Sequence, residues 1–382
     1  MALSKIDVAN MLTGLVPNDN TIRRPNAKPL IINGNMAVAQ KATSVTSLTS
    51  SGAVQTVDRI KNEISNIGTY TVIQESLSSG EAYNNGFRKA WRIDCTSADA
   101  SPAAGDNLYV TYHFEGQDLQ LFKKGTSNAQ KFTLAFWIKS NKTGTGQVNL
   151  RDNDNSRLIG GTYTISSADT WEHKVVNFAA DTTGAFDNDN AGSMDIEWWL
   201  DSGTTYSSGA TPTAWEAFSQ ADRNASGNLQ IARNTANDWA ITGVQLEVGE
   251  FSSTTLPPFQ FEDFGDNKNR CLRYYYRLNP DADAQASIGE ASYYSSSAAF
   301  CCLEFPIAMR DSPSLEQTTG TDYFNLNRNS ANDSFDSFNN LNASDHTSAQ
   351  LYISSGISGT AGHGARCRFN DASARLAFSA EL

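Results

Sequence analysis

The carboxylates Asp195 and Glu197 stand two residues apart in the run MDIEWWLD. On a strand that spacing puts both side chains on one face, together with Trp199 and Asp201. Paired carboxylates beside an aromatic ring could cleave a sugar chain, one carboxyl giving a proton while the other attacks or activates water. They could equally bind a sugar, or simply face water. Glu304 and Glu316 add nothing to a catalytic case. The four histidines, His113, His173, His346 and His363, fall in no HExxH pattern, and the sequence holds no GxSxG elbow or phosphate-cradling glycine loop. The cysteines Cys95, Cys271, Cys301, Cys302 and Cys367 form no CxxC and read as idle or buried thiols, not as a disulfide framework.

A second chemistry is suggested by Asp-Asn-Asp-Asn, which occurs at 152–155 and again at 187–190. Hard cations such as calcium take carboxylate and carbonyl oxygens from such loops, which would make Asp152, Asp154, Asp187 and Asp189 ligands of a structural calcium. The second copy departs from a calcium loop, because Ala191 stands where an oxygen is needed and Glu197 falls one place early. Asx-rich hairpin turns account for both strings without a metal.

The strands that would carry these residues are marked by alternation of apolar and polar side chains between Gly/Ser/Asn/Asp turns. Phe87, Trp91, Ile93 and Cys95 share one side of FRKAWRIDC, with Lys89 breaking the series. Leu108, Val110, Tyr112 and Phe114 share a face of NLYVTYHFE, and Phe132, Leu134, Phe136 and Ile138 share one of KFTLAFWIKS. With those sets in the core, Tyr109, His113, Trp137, Lys139, Gln147, Asn149, Arg151 and Trp199 project from the opposite faces. Aromatic planes mixed with amide, cationic and carboxylate groups are what sugars bind: ring C–H faces lie on the aromatics while hydroxyls bridge the polar groups. The candidate carbohydrate contacts are therefore Tyr109, Trp137, Asn149, Arg151, Asp195, Glu197 and Trp199. The alternative is that the tryptophans pack under loops or at a subunit interface.

Regular strand spacing without alternating helices predicts an all-β fold: an N-terminal segment over 1–29, a jelly-roll β-sandwich over 30–265, and a smaller C-terminal antiparallel β-sandwich over 266–382. Ser4 caps a short expected helix from Lys5 that Pro17 stops. Two further helices are expected at 57–67 and 213–225, a strand at CLRYYYRL, and a loop or weakly patterned hairpin over 329–349. The 382 residues carry 29 basic and 41 acidic side chains, a formal charge of −12. Phosphate backbones would repel such a chain, so no nucleic-acid partner is expected. No run approaches the ~20 apolar residues of a membrane helix, and the first residues do not form a convincing signal peptide.

The series LYVTYHFEGQDLQLFKKGTSNAQKFTLAFWIKSNKTGTGQVNLRD, GTYTISSADTWEHKVVNF, WWLDSGTTY and NDWAITGVQLEVG resembles a recurrent module of bacteriophage virion proteins, known mainly in tail fibres. RCLRYYYRL, FPIAMRDSPSL and LAFSAEL continue it. The resemblance spans about residues 30–382 and implies a jelly roll of the carbohydrate-binding-module type. MALSKIDVANMLTG resembles N-terminal virion-attachment segments of phage fibres. What the resemblance implies is a non-enzymatic virion component, made in the host cytoplasm. It would dock to other virion proteins through residues 1–29 and contact a host surface glycan, plausibly as a homotrimer. A purely structural decoration, cement or adaptor protein is the alternative, and a glycan hydrolase using Asp195 and Glu197 the minor one. The long right-handed β-helix repeat expected of a tailspike depolymerase is missing from the sequence.

Overall fold

The computed structural model describes residues 28–50, 52–328 and 331–382, and the expected helix from Lys5 and nearly all of the expected docking segment lie outside them. The chain divides into two compact units. The first comprises residues up to Ala37, Ser44–Ala53 and Ile60–Asp263; the second comprises Val38–Thr43, Val54–Arg59 and Phe264–Leu382. Among the described residues no helix is long and apolar enough to cross a membrane.

Alternating side chains make the first part of the chain a succession of strands: β1 (Ser44–Ser50), β2 (Ala53–Val54), β3 (Lys61–Ser76), β4 (Lys89–Ser97), β5 (Asn107–Glu115), β6 (Phe132–Lys139), β7 (Gly144–Asp152), β8 (Arg157–Ile165), β9 (Glu172–Phe178), β10 (Gly192–Ser202), β11 (Glu216–Ala217) and β12 (Asp238–Val248). They form one sheet in the order β11-β8-β7-β10-β5-β3-β4-β12-β6-β9, with β1 and β2 attached to β3. The sheet folds over because β3 turns a corner. Its residues Lys61–Ser65 pair with β5 and Thr69–Ser76 with β4. Between them Asn66 and Gly68 have φ of 51° and 79°. A Cβ on Gly68 would lie 2.7 Å from the Ser97 carbonyl, so a side chain there would have to displace backbone.

The core lies between the two leaves, and the apolar sets read from alternation at Trp91–Cys95, Leu108–Phe114 and Phe132–Ile138 are buried in it. Phe87 is buried as well, but in a separate cluster with Ala90, Trp171 and Ala240, so it does not share the side of Trp91 as expected. Trp91 meets Trp239 edge-on at 6.2 Å, and Phe136 meets Trp198 and Tyr163 edge-on at 5.9 and 5.2 Å. Each such side chain taken fully out of water contributes roughly 1.5–3 kcal/mol, offset by the ordering of the chain.

The second unit begins with a helix at Phe264–Leu272. Its strands are β13 (Tyr275–Leu278), β14 (Ser287–Tyr293), β15 (Ala299–Glu304), β16 (Ser314–Gln317), β17 (Phe324–Arg328), β18 (Ala331–Phe335), β19 (Asn340–Ser344), β20 (Ser348–Ile353), β21 (Gly364–Phe369) and β22 (Leu376–Ser379). They form a three-stranded sheet, β13-β22-β16, and a seven-stranded one, β18-β17-β21-β14-β15-β20-β19. One apolar core joins Leu376 and Phe378 of the small sheet to Phe324, Leu326, Leu351 and Phe369 of the large one. Residues 38–43 and 54–59 strap the small sheet. Gln40 donates to the Tyr275 carbonyl at 2.7 Å, and the Arg59 guanidinium lies 3.5 Å from the Tyr274 ring centre and 2.6 Å from Glu381. All five cysteines are free, and only Cys302 is exposed.

The all-β architecture matches the expectation from sequence, but three local expectations are corrected. Val57, Ile60, Ile64 and Ile67 have helical spacing, yet Lys61 onward is β3. The corner at Asn66–Gly68 shifts the alternation by one, which brings Ile64 and Ile67 to the buried side from positions three apart. Residues 213–225 hold β11 and a 3-10 turn at Gln220–Asp222 instead of an α-helix. Their side chains reach down onto the sheet one by one, as Trp215 does when it donates to the Ala179 carbonyl at 2.8 Å. Within CLRYYYRL, Cys271 and Leu272 end the helix, and the strand starts only at Tyr275. The stretch after the undescribed 329–330 holds β18 and β19, which pair with β17 and β20 at opposite edges of the seven-stranded sheet and not with each other.

Candidate functional site

Alternation on β10 is as the sequence implies: Met194, Ile196, Trp198 and Leu200 enter the core, while Asp195, Glu197, Trp199 and Asp201 stand on the other face. That face is not open. Residues 203–230 cross it, and Trp199 is 0% exposed. Its ring stacks on Tyr109 with centres 4.5 Å apart and planes 15° off parallel. Its indole N–H donates to Glu197 Oε2 at 3.0 Å. Arg223, from the covering segment, binds Glu197 through Nε at 3.0 Å and Nη2 at 2.7 Å, and its guanidinium lies 4.5 Å from the Trp199 ring centre. Burial opposes the Arg223 charge, but Glu197 more than compensates and holds its pKa above the usual arginine value.

The same segment takes the amides. Asn149 Nδ2 donates to the Arg223 carbonyl at 2.7 Å, and Gln147 Nε2 donates to Asn149 Oδ1 at 2.8 Å. Arg151 is partly exposed and lies over Phe218 at 4.6 Å, with its Nη1 3.8 Å from Glu197. Asp195 lies 2.5 Å from His113 Nδ1 and accepts from Asn153 at 3.0 Å. Burial alone would raise the Asp195 carboxyl, but His113, Asn153 and Arg151 hold it below the usual carboxylate value. Of the candidate sugar contacts on this face, Asn149, Asp195, Glu197 and Trp199 are therefore buried, against the expectation that they project outward. The covering chain has taken the hydrogen bonds and ring face that a sugar would use. Asp195 and Glu197, 5% and 1% exposed, are likewise too buried to reach a glycosidic bond in this conformation.

Trp137 lies on β6, away from that cluster. It is half-buried against Phe87, Trp171 and Ala240, with His173 5.0 Å away. That packing covers part of the ring and leaves the rest open.

The Asp-Asn-Asp-Asn strings are turns whose oxygens serve the chain itself. Asp154 Oδ2 accepts the Asp187 N–H at 2.9 Å, and Asp189 Oδ1 accepts the Ala191 N–H at 2.9 Å. Asp152 meets a cation already present. The buried Lys124 ammonium binds its Oδ2 at 2.5 Å, Asp181 at 3.0 Å, and the carbonyls of Thr183 and Gly184 at 3.0 and 2.8 Å. Among the described residues no three His, Cys, Asp or Glu side chains gather as a metal site. The expectation of Asp152, Asp154, Asp187 and Asp189 as calcium ligands is corrected accordingly: an internal ammonium fills the cation's place at Asp152, turn N–H groups take Asp154 and Asp189, and Asp187 enters the turn as a backbone donor.

The open aromatic surface lies in the second unit, on residues that alternation would place outward but that the sequence argument passed over. On the outer face of the seven-stranded sheet, Phe300 of β15 stands opposite Tyr352 of β20, ring centres 5.3 Å apart and planes 36° apart. Tyr294, 74% exposed, meets Phe300 edge-on at 5.6 Å. Two residues along, Cys302 stands opposite both Glu290 and Gln350. Beyond them Glu304 faces Ser348. Asn342 Nδ2 donates to Gln350 Oε1 at 2.7 Å. The signal was the alternation in AAFCCLEF, where Ala299, Cys301 and Leu303 go in and Phe300, Cys302 and Glu304 go out.

Fold and faces define a two-unit antiparallel β protein with one sandwich face closed by its own chain and one sheet face carrying a step of outward rings. No protein-family model and no curated protein matches the sequence. Solved structures similar to part of it include the enzymatically active domain of a bacteriophage CBA120 tailspike protein. It shows 11% identity and a TM-score of 0.29, over 58% of this chain and 21% of that one. A putative sugar-binding protein from Bacteroides thetaiotaomicron shows 13% identity and a TM-score of 0.30, over 58% and 100% of the two chains. The family 11 carbohydrate-binding module of a Clostridium thermocellum cellulosomal cellulase shows 9% identity and a TM-score of 0.25, over 55% and 97%. The chain thus spans about a fifth of the tailspike domain's length, and overlaps this loose do not bear on function.

Proposed function

We propose that this chain is a non-catalytic component of a phage particle, a tail-fibre or appendage protein that holds a host surface glycan. Residues 1–29 would dock it to other virion proteins, and a homotrimer would multiply weak single contacts into useful avidity. The observation that supports glycan holding is the ring step formed by the exposed Tyr294 with the half-buried Phe300 and Tyr352, set on a sheet face beside amide and carboxylate side chains. Exposed rings on a sheet face lose contact energy to water unless a partner with apolar C–H faces covers them, and pyranose rings supply such faces. The alternative of a purely structural decoration protein drew on tryptophans that would need neighbours to cover them. Trp199 is covered within the chain and Trp137 is half-buried in it, which reduces that support.

Isothermal titration with cellohexaose, xylohexaose, laminarihexaose and β-1,4-galactotetraose tests the binding claim. At least one should bind, and Phe300→Ala with Tyr352→Ala should abolish it with the fold intact. Binding that survives the double variant would remove this face from the account. Immunogold labelling of particles tests location, and label over the capsid shell in place of the tail would overturn the appendage assignment.

A further inference from the structure

Beside the ring step on the second unit lies an open groove of about 600 Å³ lined by Glu290, Cys302, Glu304, Asp345, Ser348 and Gln350. We propose that this groove is a subsite for an uncharged glycan, which would lay one sugar ring on Phe300 and Tyr352 and pass its next residues across Gln350, Ser348 and the two glutamates. The inference rests on the glycan-holding function proposed above and adds the class of ligand.

Cross-strand register puts step and groove on one surface. Phe300, Cys302 and Glu304 alternate outward along β15, and Tyr352, Gln350 and Ser348 run beside them on β20. One row therefore offers ring faces and the next rows offer acceptors and donors, with 6–7 Å between alternate positions along a strand, roughly the scale of one sugar unit. Gln350 and Ser348 can both donate and accept, while a carboxylate accepts two hydroxyls at once.

Charge selects among glycans. Glu290, Glu304 and Asp345 bring three carboxylates to the groove, and among the described residues no lysine or arginine lines it. Asp345 remains ionised because Thr347 and Ser348 donate to it within its own turn. Among the described residues neither Glu290 nor Glu304 has an ion pair. Arg366 stands opposite Glu290 in register, but its Nε turns toward Ser287 Oγ at 3.4 Å. A sulfated, phosphorylated or uronic-acid chain laid in this groove would bring its anions against these carboxylates, whereas a neutral chain uses them as acceptors.

The test is affinity electrophoresis of the full chain through matched polymer pairs: hydroxyethylcellulose against carboxymethylcellulose, and dextran against dextran sulfate. Retardation by a neutral member at least tenfold stronger than by its charged partner is expected. Glu290→Gln with Glu304→Gln should narrow that ratio at least threefold, and Tyr352→Ala should remove retardation. Tyr294→Ala, at the most exposed ring, serves where Tyr352→Ala fails to fold. Equal or stronger retention of the charged member by the unaltered chain overturns the ligand class while leaving glycan holding in place. Retention that is indifferent to Tyr352→Ala and Tyr294→Ala overturns both.

Discussion

Arg223 grips Glu197 with two hydrogen bonds, at 2.7 and 3.0 Å, on the face where strand alternation alone would place a sugar-binding carboxylate. The pair is buried, and Trp199 donates to the same carboxylate. Removing one partner strands a desolvated charge, a change that typically costs about 3–5 kcal/mol. Arg223→Ala is expected to destabilise the first unit by that order, and Arg223→Met with Glu197→Leu to recover much of the loss. All seven tryptophans belong to this unit, so tryptophan fluorescence during urea unfolding reports on it alone. An Arg223→Ala midpoint equal to that of the unaltered chain would show that the covering segment is not pinned by this pair.

Lys124 leads to a second prediction. Its ammonium has two carboxylates and two carbonyls as partners and lies 5.2 and 5.0 Å from the ring centres of Phe186 and Trp215. Lys124→Met keeps most of the volume but leaves the buried Asp152 without a cation beside Asp181, which keeps only Arg157 at 2.7 Å, at a cost of about 3–5 kcal/mol. Because the internal ammonium already serves these oxygens, a chelator should leave the melting temperature of the unaltered chain unchanged. A fall on adding EDTA would reveal a bound ion stabilising the native state by mass action.

These two clusters show why the fold was more legible than the site. Strand identity is local: a face repeats every second residue, and NLYVTYHFE or KFTLAFWIK declares it unaided. The misread stretch 57–67 failed where a corner in β3 broke that local rule. What closes a face is not local. Arg223 is 26 residues from Glu197, and nothing in SQADRNA says which strand it will cross. Lys124 and Asp152 are 28 apart, so an Asp-rich string reads as calcium-like until its lysine is seen. Phe300 and Tyr352 were legible in principle, because each stands among outward positions of its own strand.

Gly243 carries a third prediction. It sits at φ 61° where the β12–β6 register slips between Thr242 and Gln245. A Cβ there would lie 2.6 Å from Phe87 Cζ and 2.9 Å from Trp137 Cδ1. Gly243→Ala therefore combines left-handed backbone with displacement of two rings, and about 1–3 kcal/mol of destabilisation is expected. The displaced Trp137 should also change its fluorescence under native conditions. An unaltered spectrum and midpoint would mean that the rings yield freely.

Asp58 makes the second unit sensitive to pH. Burial pushes its carboxyl up to about 7, against the lowering effect of Gln40, which donates to it from both its backbone N–H and its side chain at 2.7 and 2.6 Å. A carboxyl whose folded value lies above its unfolded one binds more protons in the native state between the two. Its contribution to stability is fully present below about pH 4 and declines as pH rises toward 7. In that window the slope is about 1.4 kcal/mol per pH unit for one group. Hydrogen exchange of residues 264–382, read at pH 5, 6 and 7 after correction for the intrinsic rate, should show opening becoming easier at each step. The difference between the unaltered chain and Asp58→Asn isolates this group from other titrating side chains. If that difference is flat across the three pH values, Asp58 is charged in the folded chain and the strap at 54–59 holds it with partners stronger than Gln40.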